Sequence, residues 1–277
     1  MIGKLDIEKF GKEELLDFKG IHDKTFVDVS VQIPRPPIAL SMGHHTKGTS
    51  AYPTPFGTYG NFSCLVGASK SMKTFLKSAL VAGYIGGRAQ NYFPNLAGHD
   101  TEGKFVLDID TEQSLWHTQN VARRVCDMVG TNPGFYRPFA LREEEPKIRF
   151  QFIEWLIMES EYRKNIGMVA IDGAADVLES VNDLDLSNKI VQGMMTWSSS
   201  ANCHIATVLH RNHGSEKPTG HLGSAIMKKA ETVAFVTRDD DVTRVTPEYC
   251  RNVPFDEFCF ELDENWIPRE SEKEIMI

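Results

Sequence analysis

A chain of 277 residues and 31.2 kDa is long enough to bury one large core, or one core with a small appendage. Its 41% hydrophobic and 25% charged residues are ordinary for a globular protein, and a formal net charge of −8 excludes a uniformly basic, nucleic-acid-coating surface while leaving room for a local basic patch. Five scattered cysteines (Cys64, Cys126, Cys203, Cys250, Cys259) form no C-x-x-C pair, so buried free thiols in a reducing compartment are expected, not a disulfide framework.

No signal pattern opens the chain, and no apolar run approaches membrane-spanning length, so a cytoplasmic protein without a membrane partner is expected. An amphipathic pattern over Ile7–Phe18 predicts one helix. Between Pro34 and Pro55 fall five of the thirteen prolines, together with Gly43, Gly48 and the pair His44-His45. Proline removes backbone donors and fixes φ, which predicts an irregular connector. The His pair has no nearby Cys or acid, so it reads as solvated loop and not as a metal site. Residues 1–55 are therefore expected to be an N-terminal appendage and a Pro-rich connector.

From Phe56 onward strand and helix patterns alternate. Apolar runs at Phe62–Val66, Phe105–Ile109, Met168–Ile171, Ile205–Leu209, Val233–Val236 and Phe258–Leu262 predict strands buried on both faces. Helical periods lie between them, at Thr74–Ala82, Gln113–Val129, Ile148–Ser160 and Leu184–Ser200. In the third, Ile148, Phe152, Trp155 (or Leu156) and Glu159 share a face that is expected to point at the core. The alternation implies an α/β fold: a mostly parallel, twisted sheet with helices on both faces, spanning residues 56–268. Residues 269–277 are expected to be a charged, loose tail. Ligands in such sheets bind beyond the carboxyl ends of the strands.

Four segments could carry chemistry at that edge. Gly67-Ala68-Ser69-Lys70-Ser71-Met72-Lys73-Thr74 joins a strand to a helix through a small-residue loop ending in Lys-Thr, which is the anatomy of a phosphate-binding loop. Its backbone N–H groups and the helix dipole favour an anion. Lys73 would reach the β and γ phosphates, and the Thr74 hydroxyl would hold Mg²⁺. Met72 stands where G-x-x-x-x-G-K-[ST] has its second glycine. The second segment, Ile166 to Gly173, is an apolar strand ending in Asp172, a carboxylate placed to order Mg²⁺ and its waters.

The third segment, Val106-Leu107-Asp108-Ile109-Asp110-Thr111-Glu112-Gln113, runs from strand through acids into a helix. Asp110 reads as a cap, and Glu112 as the base that orients the attacking water. In the fourth, His204 to Asn212, His210 ends a buried strand where it would face the γ-phosphate, and His204 at the other end reads as structural. The following stretch, Asn212–Ser224, is Gly-rich and loop-like. From 211 to 229 the cations Arg211, Lys217, Lys228 and Lys229 face the single acid Glu216. That excess either grips a nucleic-acid backbone or is an ordinary solvated face. Arg238, ahead of Arg244 and Arg251, is the first candidate for an arginine finger on a neighbouring subunit's nucleotide; surface ion pairing is the alternative.

These segments, in this order, resemble the RecA/DnaB-type ATPase core, and more narrowly the RepA-like "AAA domain" ATPases of phages and mobile elements. The approach Thr58-Tyr59-Gly60-Asn61-Phe62-Ser63, the loop 67–74, Asp110-Thr111-Glu112-Gln113, His210-Arg211-Asn212 and Gly220-His221-Leu222-Gly223-Ser224 are similar to one branch of that group. In that branch the glycine before the loop lysine is often a long side chain. The resemblance covers roughly residues 35–268. It implies a RecA-like P-loop NTPase fold, ATP with Mg²⁺, Glu112 as catalytic base, Asp172 at the metal, and a ring or filament with nucleotide between subunits. It also implies work on DNA in replication, mobilisation or recombination.

The expectation is thus a helicase-like ATPase that couples hydrolysis to movement on, or remodelling of, single-stranded DNA. A nucleotide-binding assembly or regulatory protein with little turnover is the alternative, prompted by Met72 and the acidic balance. A small-molecule kinase on the same scaffold is a third reading, and the absence of an arginine-rich lid counts against it.

Overall fold

A computed structural model of the chain describes residues 17–211 and 219–271, which belong to two units meeting at Arg35 and Pro36. In the first unit the helix α1 (Phe18–Thr25) is capped by Asp17, whose carboxylate accepts from the Gly20 N–H at 2.9 Å, and buries none of its residues. The helix expected at Ile7–Phe18 lies outside the described residues except at its last positions.

The second unit begins at Pro36 and not at residue 56. The stretch expected to be irregular is a β-hairpin, β1 (Ile38–Lys47) and β2 (Ser50–Thr58), with His44 and His45 on β1. Its prolines fit because Pro36 and Pro37 precede β1, while Pro53 and Pro55 sit in an edge strand, where a missing N–H leaves no ladder bond unmade. After β3 (Phe62–Gly67) and α2 (Lys73–Ile85), the short strand β4 (Leu96–Gly98) adds to β1 and completes a three-stranded antiparallel sheet.

Then follow β5 (Phe105–Asp110), α3 (Leu115–Val129), β6 (Tyr136–Ala140), α4 (Pro146–Met158), β7 (Ile166–Asp172), α5 (Leu184–Ala201) and β8 (His204–His210). The chain continues through α6 (Gly220–Lys229), β9 (Thr232–Asp239), β10 (Val242–Cys250), β11 (Phe258–Leu262) and β12 (Pro268–Ser271). Among the described residues the main sheet has nine strands in the order β12-β11-β10-β9-β3-β8-β7-β5-β6. From β9 to β6 every neighbouring pair is parallel; from β9 to β12 the strands are antiparallel.

Helices cover both faces. Leu65, Val106, Met168 and Val208 pack with Leu76 and Leu80 of α2 and Val125 and Met128 of α3. Their sequence neighbours Cys64, Val66, Leu107, Val169 and Leu209 turn the other way, toward Ile153 and Leu156 of α4, Ile190 and Met194 of α5, and Leu222 and Ile226 of α6. This two-sided burial explains why the strands are apolar without alternation.

Three further expectations are corrected. Residues 269–271 of the supposed tail belong to β12, which pairs with β11. Gly220 to Ser224 are helical in α6, with Leu222 fully buried; residues 212–218 of the expected loop lie outside the described residues. In α4 the buried residues are Ile153, Leu156 and Ile157, whereas Ile148 and Trp155 are 43% and 46% exposed. That helix is apolar almost all round, so its period does not choose the inward face. Among the described residues no helix is long and apolar enough to cross a membrane.

Candidate functional site

Strand register assembles the site. In the parallel ladders Gly67 pairs with His210 and with Val236, Asp172 with Val208 and with Asp110. Five strands therefore end together, and the loop after β3 opens onto that edge. The four sequence segments singled out above meet there.

A Cβ on Gly67 would collide with Ser71 Oγ and the Val236 carbonyl, so only glycine lets the strand turn so tightly into the loop. Within the turn Ser71 N–H bonds back to the Ala68 carbonyl at 3.2 Å, and Lys70 and Met72 both adopt left-handed φ, +64° and +69°. Left-handed backbone costs an ordinary side chain roughly 1–2 kcal/mol per residue. Met72 packs on the core and borders a cleft with Leu262, Asp263 and Trp266; Arg238 divides it from a cleft of about 320 Å³ whose lining includes Ala68–Ser71 and Arg211. Three cations, Lys70, Arg211 and Arg238, line the latter with Asp240.

Lys73 opens α2, is 5% exposed, and donates to the carbonyls of Gly67 at 3.0 Å and Ala68 at 2.6 Å. Burial lowers its pKa, and Glu112 and Asp172 oppose the fall. Its Nζ is also 3.3 Å from His210 Nδ1, while His210 Nε2 is 3.2 Å from Glu112 Oε1. One imidazole thus bridges the loop lysine and the candidate base. The His210 hydrogen bond holds the Glu112 carboxyl below the usual range, against the effect of burial, and the charge of Lys73 helps.

Asp172 is 2% exposed and its Oδ2 has no hydrogen-bond partner. Burial pushes its pKa up to about 6; Lys77 and the Thr74 hydroxyl oppose the rise, and Asp110 and Glu112 add to it. An orphaned carboxylate oxygen beside a threonine hydroxyl is the sparse oxygen set that suits Mg²⁺, which keeps most of its waters. The residues present therefore fit such an ion. Among the described residues no group of three or more His, Cys, Asp and Glu forms a denser metal cage, and His44-His45 belong to none.

Asp110 is not the expected helix cap: the N-cap of α3 is Ser114, and the Asp110 carboxylate instead accepts from the N–H groups of Glu112 at 3.0 Å and Gln113 at 2.8 Å in the turn ahead of the helix. Thr111 Oγ1 donates to the carbonyls of Asp172 and Gly173, tying the ends of β5 and β7 together. His204, fully buried, lies 2.9 Å from Ser63 Oγ and 3.2 Å from the Thr58 carbonyl, as a structural residue would. Arg238 is exposed beside its own chain's loop, with Nε donating to the Asp240 carbonyl at 2.7 Å. Lys228 and Lys229 lie on α6 and border, with Lys189 and His221, a groove of about 560 Å³ between α5 and α6.

Sequence reasoning missed two groups. The first is a buried set under the loop: Lys77 donates to Asp108 at 2.6 Å, and the Tyr136 hydroxyl donates to the same carboxylate at 2.7 Å. The available signal was Asp108 itself, a charge inside an apolar strand, which requires a partner. The second is Asp176, in the 3₁₀ turn Ala174–Val177, beside Glu112. A search of protein-family models finds no match to this chain, and neither does a search of curated proteins.

Proposed function

We propose that this chain is a RecA-like, Mg²⁺-dependent ATPase that couples hydrolysis to remodelling or unwinding of single-stranded DNA, assembled as a homo-oligomer with nucleotide between subunits. The observation that carries the reading is the meeting of Lys73, Thr74, Asp172, Glu112 and His210 at the carboxyl ends of adjacent parallel strands. Strand β8, between the loop strand and the Asp172 strand, supplies the fifth of these residues.

Each residue has a task. The loop N–H groups and the α2 dipole receive phosphate oxygens, and Lys73 exchanges its carbonyl bonds for them. Thr74 and Asp172 would hold Mg²⁺, which neutralises phosphate charge when bound. Glu112, kept ionised by His210 and Lys73, orients a water for attack on the γ-phosphorus and accepts its proton. His210 touches both Lys73 and Glu112, and its carbonyl accepts from the N–H and hydroxyl of Thr219, beyond the segment 212–218. That path links the nucleotide to the basic stretch 211–229 proposed for DNA. Arg238 is the finger candidate for an adjacent subunit.

Steady-state hydrolysis tests the assignment: Lys73→Ala and Glu112→Gln should each cut turnover at least a hundredfold, and unchanged rates overturn it. A second reading, a nucleotide-dependent assembly protein with little turnover, draws on the left-handed Met72 and on the carbonyl bonds that hold Lys73. Tight ATP binding with negligible hydrolysis, with or without single-stranded DNA, would select it. Mass in solution with an ATP analogue, with and without the DNA, tests the ring or filament.

A further inference from the structure

We propose that Asp176 is the second carboxylate of the water-activating centre, a positioning residue that sets the basicity of Glu112. The inference rests on the ATPase reading and deepens it by naming how the site is regulated.

Geometry brings the two acids together. Gly173, at φ +99°, leaves β7 so sharply that a Cβ there would lie 2.5 Å from Asp176 Oδ2 and 2.8 Å from Glu112 Cγ, and would also strike Thr111 Oγ1. The space that glycine vacates is where the Asp176 carboxylate lies against the Glu112 side chain. The turn carrying Asp176 is pinned from behind. Arg149 on α4 donates to the Asp176 carbonyl at 2.7 Å, to Leu141 at 3.0 Å and to Arg142 at 2.6 Å. Glu112 also accepts from His210 Nε2 at 3.2 Å. Glu112 therefore stands between an imidazole and a carboxyl.

Two facing carboxyl groups do not both ionise cheaply, so they share a proton. The charges facing Asp176 are Glu112 from the β5–α3 turn, Arg149 from α4 and His210 from the end of β8. Burial and then Glu112 raise the Asp176 carboxyl to about 6, with Arg149 and His210 opposing, while Glu112 is held low. The proton thus resides on Asp176. In that form Asp176 donates to Glu112, which is then tied between two donors and is a blunted base. When Asp176 ionises, one donor is lost, a negative charge appears beside Glu112, and Glu112 becomes the stronger acceptor for the proton of the attacking water. Turnover is therefore gated by Asp176 and not by the low intrinsic titration of Glu112.

The test compares wild type with Asp176→Asn, which keeps the shape and a hydrogen-bond donor but cannot ionise. In the nucleotide-free protein, ¹³C NMR of the side-chain carboxyls should show the Glu112 resonance inflecting near pH 6 in wild type, and that inflection should vanish in the variant. With saturating Mg²⁺ and ATP, wild-type kcat should rise through the same pH. In the variant the rise should be absent and kcat at pH 8 at least tenfold lower. An Asp176→Asn protein that keeps the NMR inflection, or whose kcat profile matches wild type within twofold, overturns the inference alone. A wild-type protein that shows the inflection but hydrolyses no ATP at any pH overturns the ATPase reading, and the gating role with it.

Discussion

Lys77 and Asp108 form an ion pair of 2.6 Å in which only 1% and 4% of the two side chains meet solvent. Lys77 lies one helical turn beyond Lys73, and its ammonium is also 4.0 Å from the orphaned oxygen of Asp172. Burial pulls its pKa down, but Asp108 and Asp172 outweigh that and raise it, so Lys77 stays charged. This cation beneath the loop keeps two buried carboxylates from facing each other uncompensated.

Breaking the pair on one side should be costly. Lys77→Met leaves Asp108 and Asp172 without their cation and should destabilise the fold by about 3–5 kcal/mol. Lys77→Met combined with Asp108→Leu removes both charges and should recover most of that loss. Urea denaturation of the two variants measures it; equal losses would show that packing, not charge, dominates.

Asp172 is a site residue whose burial burdens the fold. Its pKa in the folded chain is raised from 3.8 to about 6, so the folded state takes up a proton more readily than the unfolded one. The ionised form therefore costs stability at neutral pH, and the cost disappears as pH falls below 3.8. Asp172→Asn should be more stable than wild type by about 1–3 kcal/mol at pH 8 and no more stable at pH 3.5, while losing Mg²⁺-dependent nucleotide binding. Chemical denaturation at the two pH values reads the difference.

His204 should give the opposite pH trend. Burial lowers its pKa below 6.5, against the pull of Glu231 and its backbone partners, so the unfolded chain protonates first. Stability is then complete above pH 6.5 and falls as pH drops below it, by at most about 1.4 kcal/mol per pH unit. His204→Gln keeps a hydrogen-bonding side chain beside Ser63 and should flatten the trend between pH 7 and 5. A variant with the wild-type slope would place the titration elsewhere.

Met72 should matter more to the backbone than to the ligand. It packs on the core and lines the cleft with Leu262 and Trp266, and it is not among the residues lining the cleft beside Lys70 and Arg211. Met72→Gly should leave the affinity for a non-hydrolysable ATP analogue within threefold by calorimetric titration. A loss beyond tenfold would mean that the methionine shapes the phosphate seat.

The chain carried the local pieces of the site in plain view. An apolar run, a small-residue loop and a helix start marked Gly67–Thr74; strands ending in Asp172 and His210, and one running on into Glu112, marked the rest. Each is a statement about consecutive residues, and periodicity is a property of consecutive residues. The Pro34–Pro55 stretch misled for the same reason: proline density reports local backbone limits, not whether the strand lies at a sheet edge, as β2 does.

The order of residues alone marks out which segments become strands and helices and which polar residues stand at or just past strand ends, because burial on two faces leaves a continuous apolar imprint. Tertiary structure alone decided who meets whom. Lys77 finds Asp108 across 31 positions of chain, and His210 finds Glu112 across 98. It also decided which side of α4 turns inward and that Met72 packs on the core. The reason is physical: a buried charge must be compensated, but its partner is selected by strand order and register, which no local pattern encodes.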